Sequence, residues 1–155
     1  MSDTIGIELE LISGYEFRVR FDKDSIADLK TDLGAPLGQA AGPNPEHLLN
    51  AAIANCLSAS LLFALNKYKQ GPTRLRATAH ATVGRNAENR MRVEAVNVEI
   101  ALPGKGEEYP SLDRVLSQFE SFCTVTESVR HGVTVDVNVV DADGATLHHS
   151  RAGGD

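Results

Sequence analysis

From Gly42 to Gln70 the chain reads GPNPEHLLNAAIANCLSASLLFALNKYKQ, a stretch with room for little but a long helix. Asn44 is a good N-cap, Pro45 suits the first helical position, and Glu46 places a negative charge at the positive end of the helix dipole. The pattern predicts a helix from Pro45 to about Lys69 that stops at Gly71-Pro72. Its apolar residues run nearly all the way round: Leu48, Leu49, Ala52, Ile53, Cys56, Leu57, Ala59, Leu61, Leu62 and Phe63. A helix of that kind is central to a core or shared with a partner chain.

The flanking segments alternate with the period of strands. Ile5, Ile7, Leu9 and Leu11, then Tyr15, Phe17, Val19 and Phe21, predict a hairpin across Ser13-Gly14. Ile26 to Leu33 is a weaker third strand. Gly34 to Pro45, with Gly34, Gly38, Gly42, Pro36, Pro43 and Pro45, is a loop. Beyond the helix, Ala77 to Val83 and Val96 to Leu102 are two more strands around a polar turn at Arg85 to Arg90. Leu112, Val115, Leu116, Phe119, Phe122 and Cys123 follow helical spacing, so a second helix is expected from about Ser111. Val133 to Val139 forms a last strand, Asp141 to Gly144 a turn, and residues 146–155 a loose tail. Strands, helix, strands, helix and strand in that order make an α+β fold, read as a single domain over residues 1–145.

Composition removes several classes of function. The 155 residues suit one domain with a real core, and the net charge is −6, from 21 acidic and 15 basic residues. That balance disfavours a nucleic-acid partner. The start, MSDTIGIELE, lacks a signal-peptide pattern, and Asn50, Asn55, Ser58 and Ser60 interrupt the best candidate for a membrane span. A cytoplasmic protein with no membrane association is expected. There is no C-x-x-C, no G-x-S-x-G and no P-loop. His148-His149, His80 and His131 are read as incidental or structural, so neither a metal nor a cofactor is expected.

Two cysteines carry what chemistry remains. Cys56 lies in the middle of the apolar helix and Cys123 ends the second apolar run, 67 positions later. The plain reading of each is a small core hydrophobe. The other reading is a redox pair, because cytoplasmic cysteines are reduced by default and a disulfide there is catalytic or regulatory. Asn55 and Ser58 near the first, with Thr124 and Thr126 after the second, are polar neighbours that a core cysteine does not need. Apolar burial raises a thiol pKa, so Cys56 needs a donor or cation from another segment. Tyr15, Arg18, Arg20 and His47 are the candidates upstream. Glu46, ten residues before Cys56, sits roughly 15 Å away along a straight helix, beyond direct contact.

The run GPNPEHLLNAAIANCLSASLL resembles the OsmC/Ohr family of thiol-dependent peroxidases, which carries an Asn-Pro-Glu-x-Leu segment, an Ala-rich helix and a cysteine at this distance from the glutamate. FCTVTESVRHGVTVDVNV resembles the same family's second cysteine followed by a short helical turn and a valine-rich strand. The resemblance spans roughly residues 4 to 140. It implies an intertwined homodimer, with antiparallel sheets wrapped around two central helices. It also implies a mechanism. Cys56 attacks an organic hydroperoxide and becomes a sulfenic acid, Cys123 condenses with it to a disulfide, and a dithiol such as a lipoylated protein reduces the bridge. Glu46 matches the glutamate that holds the family's activating arginine.

The chain departs from the family at that arginine. In one branch it lies in a Gly-Gly-Arg turn between the first two strands, where this chain has SGYEFRVRF and Tyr15 takes its place. In the other branch it precedes the Pro-Glu motif, and residues 34–45 contain none. Arg18 and Arg20 are possible substitutes, although their alternation with Phe17, Val19 and Phe21 also fits a solvated sheet face. The expectation is a less activated thiol or an unusual substrate. An alternative reading is an OsmC-like dimer that binds a small apolar ligand in an interface pocket with little or no peroxidase turnover. A dimeric scaffold whose cysteines are core residues is a third.

Overall fold

The apolar run forms helix α1 over Pro45–Lys67 in the computed structural model, which describes residues 2–152. Asn44 Oδ1 accepts the His47 N–H at 2.9 Å and His47 Nδ1 accepts the Asn44 N–H at 3.3 Å, a reciprocal cap for two otherwise unpaired donors. The other end closes a little before Lys69. The Gln70 N–H bonds to the Leu65 carbonyl and the Lys69 N–H to the Asn66 carbonyl, with Lys69 at φ 58°, the left-handed stop that ends many helices. By length and composition α1 is long and apolar enough to cross a membrane. The expectation that no stretch would reach that threshold is thus corrected. Four small polar residues do not offset the surrounding Leu, Ile, Ala and Phe.

The chain separates into two compact units. The first takes the residues up to Ala51 together with Ala79–Asn97. In it β1 (Ile7–Ser13), β2 (Glu16–Phe21) and β3 (Leu29–Thr31) form an antiparallel sheet in that order. Gly14 turns the hairpin at φ 54°. The register opposes Ile7 to Phe21, Leu9 to Val19 and Leu11 to Phe17, and on the other face Glu8 to Arg20 and Glu10 to Arg18. β3 is shorter than the expected third strand because Asp32 ends it. The buried Asp32 carboxylate accepts the N–H groups of Leu33, Gln39 and Ala41 at 2.8, 2.9 and 3.1 Å and folds the loop back on itself. Those donors, Ala41 and Gln39 foremost, hold it below the usual carboxylate range against the opposing effect of burial. Gly38 packs against the Leu33 carbonyl, where a Cβ has no room.

The second unit takes Ala52–Thr78 and the chain from Val98 onward. One stripe of α1 is buried, Ile53, Leu57, Leu61 and Leu65, spaced at one turn each. Leu61 and Leu65 form the core with Tyr109 and Val115, against which Leu75, Leu112 and Phe119 pack. Each such buried side chain contributes on the order of 1.5–3 kcal/mol. The remaining apolar faces of α1 are only partly covered, and Phe63 is 72% exposed. β4 (Arg76–Arg85) pairs with β5 (Met91–Ala101) across a turn built on Asn86, whose Oδ1 accepts the Arg90 N–H at 2.9 Å.

Two expectations for the C-terminal third change. The single helix from Ser111 is broken into α2 (Leu112–Leu116), a 3-10 turn at Phe119–Phe122, and α3 (Thr124–Arg130). Serine side chains compete for the backbone at the breaks. Ser117 Oγ donates to the Arg114 carbonyl at 2.8 Å, and Ser121 Oγ to the Gln118 carbonyl at 2.7 Å. The tail expected to be loose is instead a strand. β7 (Thr146–Ala152) pairs antiparallel with β6 (Val135–Val140). Asp141 Oδ1 sets the turn by accepting the N–H groups of Asp143 and Ala145, both at 2.9 Å, with Gly144 at φ 82°. Residues 153–155 of that tail lie outside the described residues.

Candidate functional site

Cys56 and Cys123 are neighbours in the second unit, close enough that each thiol affects the ionisation of the other. Each is a free thiol. Helix α1 delivers Cys56, three residues beyond the buried Ile53 and one before the buried Leu57, which leaves its side chain half-buried. Cys123 arrives on the short connection between the 3-10 turn and α3. Its N–H donates to the Glu120 carbonyl at 2.9 Å and its own carbonyl accepts the Glu127 N–H at 3.0 Å. It is fully buried, at 0% exposure.

The two sulfurs have different surroundings. Burial pushes the Cys56 thiol up, the Val125 N–H opposes that, Cys123 adds to it, and the Thr124 N–H is the last, opposing influence. The balance leaves it above its ordinary value. Burial also works to raise Cys123, but there it is outweighed. The Thr126 hydroxyl comes first among the opposing groups, followed by Cys56, the Thr126 N–H and the Arg130 charge, and the thiol lies below its ordinary value. Thr126 Oγ1 is 3.1 Å from Cys123 Sγ, and Thr126 is itself buried. The neutral thiol donates to that oxygen, whereas a thiolate would accept from the hydroxyl. Arg130 is oriented by Glu120 at 2.7 Å and Glu127 at 2.9 Å. A pair like this can exchange two thiols for one disulfide, and it holds the negative charge better on Cys123.

The other candidates fall in the first unit. Glu46 lies in the first turn of α1 and lines a polar hollow of about 450 Å³ with His47, Asn50 and His80. Asn50 Oδ1 is buried with no hydrogen-bond partner among the described residues. Tyr15 lines a different hollow, an apolar one of about 550 Å³ over the sheet, with Phe17, Val19, Leu29 and Leu48. Arg20 pairs with Glu10 at 3.2 Å and Asp28 at 3.9 Å on the exposed face, and Arg18 stands exposed on the same face. Among the described residues, no three His, Cys, Asp or Glu side chains group as a metal site. His149 pairs with Asp136 at 2.7 Å across β6 and β7, and His131 Nδ1 lies 2.7 Å from the Glu127 carbonyl, so both are engaged locally.

Arg130 and its two carboxylates were not among the residues the sequence pointed to. The signal was Glu127 and Arg130 at i and i+3 on a short helix after Cys123, a spacing that brings the charges together. Thr126 was noted only as a polar neighbour, without a role.

Comparison with known proteins bears on the family and the fold. The family described as OsmC-like protein matches residues 38–138. No curated protein matches the sequence. Solved structures with the same fold include an OsmC-like protein from Mycoplasma pneumoniae, 15% identical, with a TM-score of 0.66 and coverage of 84% of this chain and 89% of that one. An organic hydroperoxide resistance protein from Elizabethkingia anophelis is 20% identical, with a TM-score of 0.65 and coverage of 84% and 90%. The organic hydroperoxide resistance protein OhrB of Bacillus subtilis is 17% identical, with a TM-score of 0.61 and coverage of 83% and 91%. At these identities the likeness is one of fold. The α+β architecture, its antiparallel sheets and the family match over most of its length agree: the chain belongs to the OsmC-like protein family.

Proposed function

We propose that this protein is a cytoplasmic, homodimeric thiol peroxidase that reduces organic hydroperoxides. The observation that supports this reading is the proximity of Cys56 and Cys123, two thiols remote in the chain that influence each other's ionisation. Cys56 is the more accessible sulfur and is the one assigned to substrate. Its thiolate attacks the outer oxygen of the hydroperoxide, the O–O bond breaks, and the alcohol leaves after taking a proton. The resulting Cys56 sulfenic acid is attacked by Cys123, water departs, and a disulfide forms. A dithiol, a lipoylated protein being one example, restores both thiols by exchange.

Within this reading the Val125 and Thr124 N–H groups are the donors in reach of the Cys56 sulfur. With the thiol raised by burial, little thiolate exists at neutral pH, and peroxidation is slow until a cation completes the site. By the family resemblance Glu46 holds an arginine, for which Arg18 and Arg20 are the candidates of the N-terminal hairpin, while Tyr15 offers a hydroxyl donor and no charge. Homodimerisation is supported by apolar faces left bare in a single chain. Leu9 and Leu11 on β1 are 51% and 57% exposed, and Val135 on β6 is 57% exposed.

The test is steady-state consumption of cumene hydroperoxide with dihydrolipoamide as reductant. Turnover that vanishes in Cys56→Ser supports the proposal. No turnover in the parent protein contradicts it. The second reading, a binder of small apolar ligands, is favoured by the apolar hollow beside Tyr15, which is large enough for such a molecule.

A further inference from the structure

We infer that the Cys56–Cys123 bridge is opened in one direction only: the reductant attacks the Cys56 sulfur, and Cys123 departs as a thiolate caught by the Thr126 hydroxyl. The inference rests on the thiol-pair reading above but concerns the return half of the cycle. Any reductant faces two sulfurs and must choose one. The choice depends on which sulfur can be reached and which leaves as the better-stabilised thiolate. Both criteria select the same direction here.

Cys123 is fully buried, so an incoming thiolate has no line to it, whereas Cys56 is half-buried. The Thr126 hydroxyl, buried and 3.1 Å from Cys123 Sγ, has that sulfur as its neighbour. In the disulfide it meets a weak acceptor. As the S–S bond breaks, negative charge collects on Cys123 Sγ and the hydrogen bond becomes charge-assisted, stronger in the transition state than before it. Arg130, held by Glu120 and Glu127, also favours the Cys123 thiolate, less strongly than Thr126.

The reductant's thiolate gives its pair to Cys56 Sγ and forms a mixed disulfide there. The Cys56–Cys123 bond breaks, and its pair stays on Cys123. The second thiol of the reductant, once deprotonated, attacks its own sulfur in the mixed disulfide and releases Cys56, leaving the reductant as a cyclic disulfide.

Diamide tests this without any hydroperoxide. The protein is oxidised with diamide, mixed briefly with glutathione, quenched in acid, and alkylated with N-ethylmaleimide, and its peptides are mapped by mass spectrometry. The expected product carries glutathione on Cys56 and maleimide on Cys123, in at least about tenfold excess over the reverse. Thr126→Val, which keeps shape but loses the hydroxyl, should slow opening of the bridge about tenfold. Thr126→Ser should restore the rate, which a purely structural role for the methyl-bearing side chain would not allow.

Glutathione found mainly on Cys123, or an opening rate unchanged in Thr126→Val, overturns the inference. So does failure of diamide to form the bridge. If diamide forms the bridge and it opens as stated, while cumene hydroperoxide does not form it, the peroxidase reading fails alone and the direction of exchange stands.

Discussion

The segment that delivers Cys56 and the segment that delivers Cys123 hold their sulfurs by different means. Cys56 rides on a 23-residue helix whose buried stripe is Ile53, Leu57, Leu61 and Leu65, the last two packed into one core with Tyr109 and Val115. Its position is set by area removed from water, which is strong and non-directional. Cys123 sits in a run of short turns held by individual hydrogen bonds from Ser117, Ser121 and Cys123 itself. Packing places the first sulfur and leaves it without a charged partner. Polar contacts place the second and at the same time stabilise its anion. The lesson is that a site can separate access from acidity: the reachable thiol is the less acidic one.

The largest effects should come from exchanging the two sulfurs for oxygen. Cys56→Ser is expected to abolish hydroperoxide turnover. Cys123→Ser should keep the first attack and stall with one sulfenic acid per chain, detectable by dimedone labelling and intact mass. The reverse pattern, with a sulfenic acid on Cys123 in the Cys56→Ser protein, would break the division of roles.

A second pair of variants weighs the two kinds of support. Leu65→Ala removes a fully buried side chain of the α1 stripe and should cost about 2–5 kcal/mol in urea unfolding. Ser117→Ala removes one exposed hydrogen bond from the other segment and should cost about 0.5–1.5 kcal/mol at most. Equal losses would show that the second segment depends on packing as much as the first.

The smallest effect is electrostatic. Arg130 helps to hold the Cys123 thiol below its ordinary value, so Arg130→Met should move the ionisation midpoint of Cys123 upward and leave that of Cys56 nearly in place. The shift is modest because Arg130 is half-exposed and the Thr126 hydroxyl acts more strongly. Carbon-13 shifts of the two labelled cysteine Cβ atoms, followed across the alkaline range, check both midpoints.

Much of this was legible in the sequence, and the physical reasons for what was not are specific. The N-cap at Asn44, the helix that follows and the hairpin turn at Gly14 are local, and local signals survive without tertiary information. The breaks after α2 were missed because Phe119, Phe122 and Cys123 keep helical spacing while Ser117 and Ser121 cut the backbone ladder. β7 was missed because Thr146–Ala152 is polar and gains its strand from pairing with β6, a non-local term. The meeting of Cys56 with Cys123 follows from no spacing rule and came only from the family resemblance. Glu46, Tyr15, Arg18 and Arg20 could be named from the motif, but their joint role depends on which charge they hold, and their own unit engages Arg20 with Glu10 and Asp28.

The central claim is that the two thiols form one redox unit. The direct measurement treats the reduced protein with one equivalent of cumene hydroperoxide per chain, then counts free thiols and weighs the intact protein. The account predicts loss of both thiols and of two hydrogens' mass, with one intramolecular disulfide joining the Cys56 and Cys123 peptides. Retention of both free thiols at unchanged mass would contradict it.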